Sequence, residues 1–297
     1  ITLEYAVRGF DSYTKMIKSG LINFVVIATP NSQHFEQAMF ALQNGCDVLI
    51  EKPATLNPEH INILKKESKK QKQKIYSVLQ VRLNSCIQNL KYLIDNNIIG
   101  NIRGISLTQR WQRPLNYFSD WRGDPLIGGG TLHECGIHYL DVLCYLFGKP
   151  SVMSSTKYNT KHKNTEIEDT IYSILDFGHF GGNIEISISC EPHNLECSLD
   201  ILTSEGYIKL GGKAMNVVED IKFLTKEKQN KVIEIMQKNN VIGTPNSYGS
   251  YAGSCPNHPS LYKNLQDFDL LQTSNVLNLI DEMYFACNVK YYNDKEN

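Results

Sequence analysis

The segment Leu21-Ile22-Asn23-Phe24-Val25-Val26-Ile27-Ala28 is almost continuously apolar and rich in β-branched residues. A strand with one face in water alternates, whereas an unbroken run belongs to a strand covered on both faces, as in a parallel sheet. The run stops at Thr29-Pro30-Asn31-Ser32, and the pattern predicts a helix from Ser32 to Asn44 that Gly45 ends. A short strand, Asp47–Ile50, leads into Glu51-Lys52-Pro53, and Pro58 opens a helix that reaches Gln73. Ile75–Leu79 is a third strand, and residues 7–19 read as a preceding helix closed by Gly20. Strand, helix, strand, helix, strand implies parallel strands joined by right-handed crossovers. Ligands of such sheets bind beyond the carboxyl ends of the strands, here Thr29–Asn31 and Glu51–Pro53.

From Arg82 the pattern changes. A helix over 85–95 precedes a strand over 102–111 and an aromatic, basic segment holding Arg110, Trp111, Arg113, Tyr117, Phe118, Trp121 and Arg122. The triplet Gly128-Gly129-Gly130 then opens a helix through Phe147, stopped by Gly148 and Pro150, with Ile137, Leu140, Cys144 and Phe147 on its apolar face. Strand signals follow over 151–159, 167–177, 183–190, 195–203 and 206–210, with Ser204-Glu205-Gly206 as a tight turn. Residues 243–260 read as a long loop, 272–287 as a closing helix and 293–297 as a frayed tail. The expected fold is α/β plus α+β. A doubly wound α/β unit (1–80) is followed by a domain with a large, mostly antiparallel open sheet (81–297); the family resemblance drawn below implies that the first is an incomplete Rossmann-type domain and that the second serves substrate binding and oligomerisation.

The formal charge of -1 argues against nucleic acid or an anionic membrane as main partner. No apolar run nears the length of a membrane span, and there is no secretory signal. The eight cysteines form no CxxC pair and sit mostly in apolar surroundings (Cys46, Cys144, Cys190, Cys287), which reads as reduced thiols of a cytoplasmic protein.

In the helix after the glycines, Glu134 and His138 lie four residues apart and project from one side, and Asp141 follows three residues later. A carboxylate beside an imidazole sets its tautomer and raises its basicity. An isolated pair of this kind is equally a half-buried helix contact.

Taken in order, Ala28-Thr29-Pro30-Asn31 with His34, Glu51-Lys52-Pro53, Gln80-Val81-Arg82, Trp121-Arg122-Gly123, and the glycine triplet with Glu134 and His138 resemble the Gfo/Idh/MocA oxidoreductases, named for glucose–fructose oxidoreductase and inositol dehydrogenase. The resemblance spans nearly the whole chain. Leu79–Arg82, Trp121–Asp124 and His258-Pro259 are in addition similar to UDP-N-acetylglucosaminuronate 3-dehydrogenases. It implies NAD or NADP as cofactor and hydride transfer at a hydroxyl of a sugar or sugar nucleotide. It implies Lys52 beside the reacting hydroxyl, Pro53 in a cis peptide, and His138 as acid/base, with Glu134 the third catalytic candidate. Thr29, Pro30, Asn31, His34, Glu51, Lys52, Pro53, Trp121 and Arg122 are the expected cofactor contacts, and Lys52, Arg82, Glu134, His138 and His258 the expected substrate contacts. No metal is expected, and the open sheet implies a homodimer or homotetramer.

Two departures stand out. The family usually places Asp, or Asn in some sugar-nucleotide members, four residues before the histidine, where this chain has Glu134. The Gly-rich turn that would hold a pyrophosphate is absent, so roughly 45 residues of the expected domain are missing by the usual length of such units. Either the sequence is a fragment of a working enzyme, or the chain is a truncated, non-catalytic sugar-binding or scaffold relative. A dehydrogenase of a free polyol or aldose is the rival within enzymes. At single residues the alternatives are a helix cap for Thr29–His34, a structural salt bridge for Arg82, and for Arg110 and Arg113 either a diphosphate contact or a solvent-exposed strand end. The run Lys65-Lys66-Glu67-Ser68-Lys69-Lys70 reads as a solvated helix face, Cys135 as a packing thiol, and His60, His162, His179 and His193 as surface residues.

Overall fold

The computed structural model describes residues 4–238, 246–248, 251–254 and 257–288. Its first sheet is parallel, in the order β1 (Phe24–Ile27), β2 (Asp47–Ile50), β3 (Ile75–Ser77), with Val25 opposite Val48 and Leu49 opposite Tyr76. The unbroken apolar signal holds for β2, whose Val48, Leu49 and Ile50 are fully buried. It overstates β1, an edge strand in which Val25 and Ile27 are buried but Val26 is 49% exposed. The first helix, α1, is shorter than expected (Tyr13–Lys18), because the Ser12 side chain caps it by accepting from the Thr14 amide. Helices α2 (His34–Gln43) and α3 (Pro58–Gln71) flank the strands, and α3 starts on an Asn57 cap with Pro58 in its first turn.

After α4 (Ser85–Asp95) comes β4 (Ile102–Arg110), the middle of a seven-stranded sheet. With β5 (Ser151–Tyr158), β6 (Thr170–Asp176), β7 (Gly181–Ser187), β8 (Glu196–Thr203), β9 (Gly206–Gly211) and β10 (Val217–Phe223), the order is β10-β9-β8-β4-β7-β6-β5. Only the β4–β7 pair is parallel. Alternation is clean in β6, where Ile171 and Leu175 are buried while Tyr172 and Ile174 face out. Strand β10 and helix α6 (Lys226–Gln237) were not anticipated: β10 is a half-exposed edge, and α6 buries only Val232 and Met236.

The segment read as a long loop contains a hairpin of β11 (Asn246–Tyr248) and β12 (Tyr251–Ser254), then the start of α7 (His258–Lys263). The rest of that loop, and the tail over 293–297, lie outside the described residues. Helix α5 (Ile137–Phe147) is buried on nearly every side, more than an amphipathic helix would be. The last helix, α8 (Leu270–Asn288), packs on β5 and α5 of the second unit and on α3 and β3 of the first. Cys46, Cys86, Cys135, Cys144 and Cys197 are buried free thiols, while Cys190 and Cys287 are half-buried. No described helix is long and apolar enough to cross a membrane.

Candidate active site

The carboxyl ends of β1 and β2 lie side by side, and the residues expected there meet the glycine triplet. Lys52 follows β2, and the Lys52–Pro53 peptide is cis, as the resemblance implied. The Lys52 ammonium donates to the backbone carbonyl of Glu134 at 2.8 Å and lies 3.7 Å from its Oε2. Glu134, only 8% exposed, also accepts from Asn31 Nδ2 at 2.5 Å and has the Arg122 Nε at 3.9 Å. Its carboxylate therefore joins three of the predicted motifs. The extra methylene relative to Asp spans the gap between Asn31 and Lys52.

The helix bearing this residue is not a simple α-helix. Leu132–Gly136 forms a π-helical turn that runs into α5 at Ile137. Such turns carry one extra residue per turn and concentrate at functional positions. The glycines are required for it. Gly129 and Gly130 have φ of +87° and +101°, and a Cβ on Gly128 would sit 2.8 Å from the Arg122 backbone. His133 Nδ1 donates to the Gly129 carbonyl at 2.8 Å, its ring stacks on Tyr284, and burial pushes its pKa down.

His138, one turn further on, is half-buried, and its Nδ1 is buried with no hydrogen-bond partner among the described residues. Burial first, then the charges of Lys52 and His258, push its pKa down to about 3, against the pull of Glu51. The imidazole is thus held neutral. The expected orienting role of Asp141 is not observed. Asp141 is 1% exposed and binds Arg82 in bidentate fashion, Nε to Oδ2 at 2.6 Å and Nη2 to Oδ1 at 2.5 Å. Arg82, expected at the substrate, is itself 4% exposed and makes the structural salt bridge of the alternative reading. Burial works against its charge, but Asp141 outweighs burial and holds it above the usual arginine range.

Two expected cofactor contacts also make structural hydrogen bonds within the protein. His34 is fully buried, with Nδ1 2.8 Å from the Pro53 carbonyl and Nε2 2.8 Å from the Thr29 carbonyl, so it ties the two strand ends together. Asn31, 4% exposed, spends its amide on the Gly128 carbonyl at 2.8 Å and on Glu134. Both side chains shape the cleft from behind, as polar groups buried at a junction of loops must find partners there. Thr29 and Pro30 remain half-buried at the end of β1, and Thr29 Oγ1 donates to Gln37. Pro53 is buried behind the Lys52 backbone.

Glu51 is half-buried, accepts from the Lys52 amide at 3.2 Å and lies 3.5 Å from His258 Nε2. Burial would raise its pKa, but His258 and Lys52 pull it below the ordinary carboxylate value. His258, which starts α7, is thereby brought to the strand end. Trp121 and Arg122 form the outer wall, with the guanidinium 4.4 Å over the indole and paired with Asp120.

Neither Arg110 nor Arg113 is placed for a diphosphate. Arg110 pairs with Glu185 and Glu196 on the strands flanking β4, and Arg113 is 4% exposed, between Trp111 and Tyr117. His162 is buried against Phe118, not on the surface, whereas His179 and His193 are exposed and His60 stacks on Phe35.

Residues 2–79 match the model described as the oxidoreductase family with NAD-binding Rossmann fold, and residues 87–209 match the GFO/IDH/MocA C-terminal domain. The chain is 32% identical over 165 residues to an oxidoreductase of Formosa agariphila, covering 54% of this chain and 51% of that protein. It is 25% identical over 195 residues to D-glucoside 3-dehydrogenase of Escherichia coli, covering 61% and 55%. It thus spans about half the length of these curated relatives. The WlbA dehydrogenase of Bordetella pertussis, solved in complex with NADH and UDP-GlcNAcA, superposes with a TM-score of 0.82 at 25% identity, over 96% of this chain and 83% of that one. With both domains matched in sequence order and the whole architecture shared, the chain belongs to the Gfo/Idh/MocA oxidoreductase family.

Proposed function

We propose that the protein is an NAD(P)-dependent dehydrogenase that moves hydride between nicotinamide and a hydroxyl of a sugar or sugar nucleotide, with the 3-hydroxyl of a UDP-N-acetylated uronic acid the favoured case. The observation that carries this reading is the meeting of Lys52 and Glu134 at the carboxyl ends of β1 and β2, with His138 one turn beyond Glu134, within the field of Lys52, and its buried Nδ1 without a hydrogen-bond partner among the described residues. The half-buried strand ends beside Lys52 fit a bound nicotinamide and carbinol. Thr29, Pro30, Glu51 and Trp121 would hold the cofactor, which supplies the hydride acceptor when bound.

The protein's own part is proton and charge handling. Lys52 places an ammonium where alkoxide charge develops, a contribution of the oxyanion-stabilising kind. His138 is the proposed acceptor of the hydroxyl proton: burial keeps the ring neutral but also lowers its basicity, and its Nδ1 is enclosed, which leaves Nε2 to meet the substrate. Glu134 fixes Lys52 through both its backbone carbonyl and its carboxylate. His258 is the proposed substrate contact at the strand end, and Arg122 goes with Trp121 on the cofactor side. Residues 1–80 and 81–297 then act as the cofactor and substrate units. The resemblance to WlbA supports the sugar-nucleotide choice over a free polyol.

Exposed Tyr172, Ile174 and Leu202 on the open sheet face support a homo-oligomer, and a monomer by light scattering contradicts that part. The decisive test uses the full-length protein with NAD or NADP and a panel of UDP-GlcNAcA, inositol and glucose. Lys52→Ala should lower turnover about 10²–10³-fold, the cost of removing one such group, while NADH still binds by fluorescence. Near-wild-type turnover overturns the site assignment.

A further inference from the structure

The π-helical turn that carries Glu134 is held from outside the cleft. The Tyr284 hydroxyl, on α8, donates to Glu168 Oε1 at 2.7 Å and accepts from the Leu132 amide at 3.2 Å. Glu168 Oε1 also accepts from the Thr131 amide at 2.8 Å, and the Glu168 backbone carbonyl accepts from the Thr131 hydroxyl. The Tyr284 ring stacks on His133 at 5.7 Å, and His133 in turn holds the Gly129 carbonyl. Gly130 is pressed so close that a Cβ there would lie 2.5 Å from the Tyr284 hydroxyl. The first amides of a helix have no partners within it, and here those of Thr131 and Leu132 are met by Glu168 and Tyr284. The turn so fixed delivers the Glu134 backbone carbonyl and carboxylate to Lys52.

We infer that Tyr284 and Glu168 are positioning residues for the candidate active site: they lock the start of the π-helical turn, and through it the alignment of Glu134 with Lys52. The inference rests on the proposed site for its catalytic consequence but not for its structural one. The hydrogen bonds of the two side chains go to each other and to the Thr131 and Leu132 amides, so each acts through the 129–134 backbone.

Two readouts test it in the full-length protein. Hydrogen exchange without ligand should show amides of 130–136 exchanging at least tenfold faster in Tyr284→Phe, with those of β2 and β3 unchanged. Turnover of UDP-GlcNAcA with NAD should fall at least tenfold in kcat with KM changed less than twofold. Glu168→Gln, which keeps an acceptor oxygen for both donors, should retain most of both properties, whereas Glu168→Leu should lose them. Unchanged exchange over 130–136 in Tyr284→Phe overturns the inference, as does a loss confined to Tm with kcat intact. If the wild type turns over no sugar, the site reading fails, while the exchange result still decides this one. If Glu168→Leu does not fold, Tyr284→Phe, which lacks one hydroxyl, decides alone.

Discussion

Replacing Arg82 by Met should damage the fold before it damages substrate affinity. Arg82 and Asp141 form a two-bond pair with side chains 5% and 1% exposed, so Met leaves a carboxylate in the interior without its cation. Removing one member of a buried pair costs about 3–5 kcal/mol, because the other charge remains desolvated. At roughly 2–4 °C per kcal/mol for chains of this order of size, Tm should drop by roughly 6–20 °C. The loss should also depend on pH. Burial already pushes the Asp141 carboxyl above its ordinary value and Arg82 pulls it partly back, so without Arg82 it rises further. A carboxyl raised in the folded state keeps its proton there after the unfolded chain has released it, so stability is lost as pH rises above the ordinary carboxyl value of 3.8. The deficit of Arg82→Met should therefore be smaller at pH 4 than at pH 7. The double variant Arg82→Met/Asp141→Leu should recover most of it, since an apolar pair of similar volume replaces the ion pair. Urea melts of the four proteins at both pH values form the double-mutant cycle. Additive losses, or a wild-type Tm in Arg82→Met with a raised substrate KM, would refute the structural assignment and return Arg82 to the substrate.

Two further outcomes follow from the site. The unfolded chain takes up a proton at His138 near pH 6.5 while the folded chain refuses it until about 3, so stability should be full above pH 6.5 and fall as pH drops toward 3; His138→Gln should flatten that part of a pH–stability curve, and an unchanged slope sinks the idea. Gly130→Ala should destabilise by about 1–3 kcal/mol, from a strained positive φ and a Cβ against the Tyr284 hydroxyl, read as a drop in urea midpoint.

Much of the fold was legible because the first sheet and its helices announce themselves locally. β2 is a pure apolar run, α3 has Asn57-Pro58 at its start, and the turn at Ser204-Glu205 sits between two alternating strands. Edge elements were harder: β10 is half-exposed throughout and α6 is mostly polar, so neither shows strong periodicity. The motifs named the right neighbourhood, since Asn31, Lys52, Arg122 and Glu134 do meet. Their individual roles depend on partners far away in the chain. Spacing paired His138 with Asp141, but Arg82, 59 residues earlier, claims that carboxylate. His34 and Asn31 were expected cofactor contacts by resemblance, and no spacing in the sequence shows that His34 sits between the Thr29 and Pro53 carbonyls or that Asn31 bonds the Gly128 carbonyl and the Glu134 carboxylate. Glu168 and Tyr284 carried no signal, being one acidic residue before a strand and one aromatic in a helix. The π-helical turn is equally invisible to a 3.6-residue period, and only the glycine triplet hints at it.

The position of α8 after the cleft residues in the chain has a consequence for synthesis. Lys52, Glu134 and His138 leave the ribosome long before Tyr284 does, with about 150 residues separating Glu134 from it. At translation rates of about 5–20 residues per second, that is on the order of ten seconds. During this interval the parallel strands and α5 exist without the helix that packs across both. A nascent chain therefore holds Lys52, Glu134 and His138 in an unfinished arrangement, and chains cut short before α8 should accumulate as protease-sensitive species. Completion of the cleft is tied to synthesis of α8.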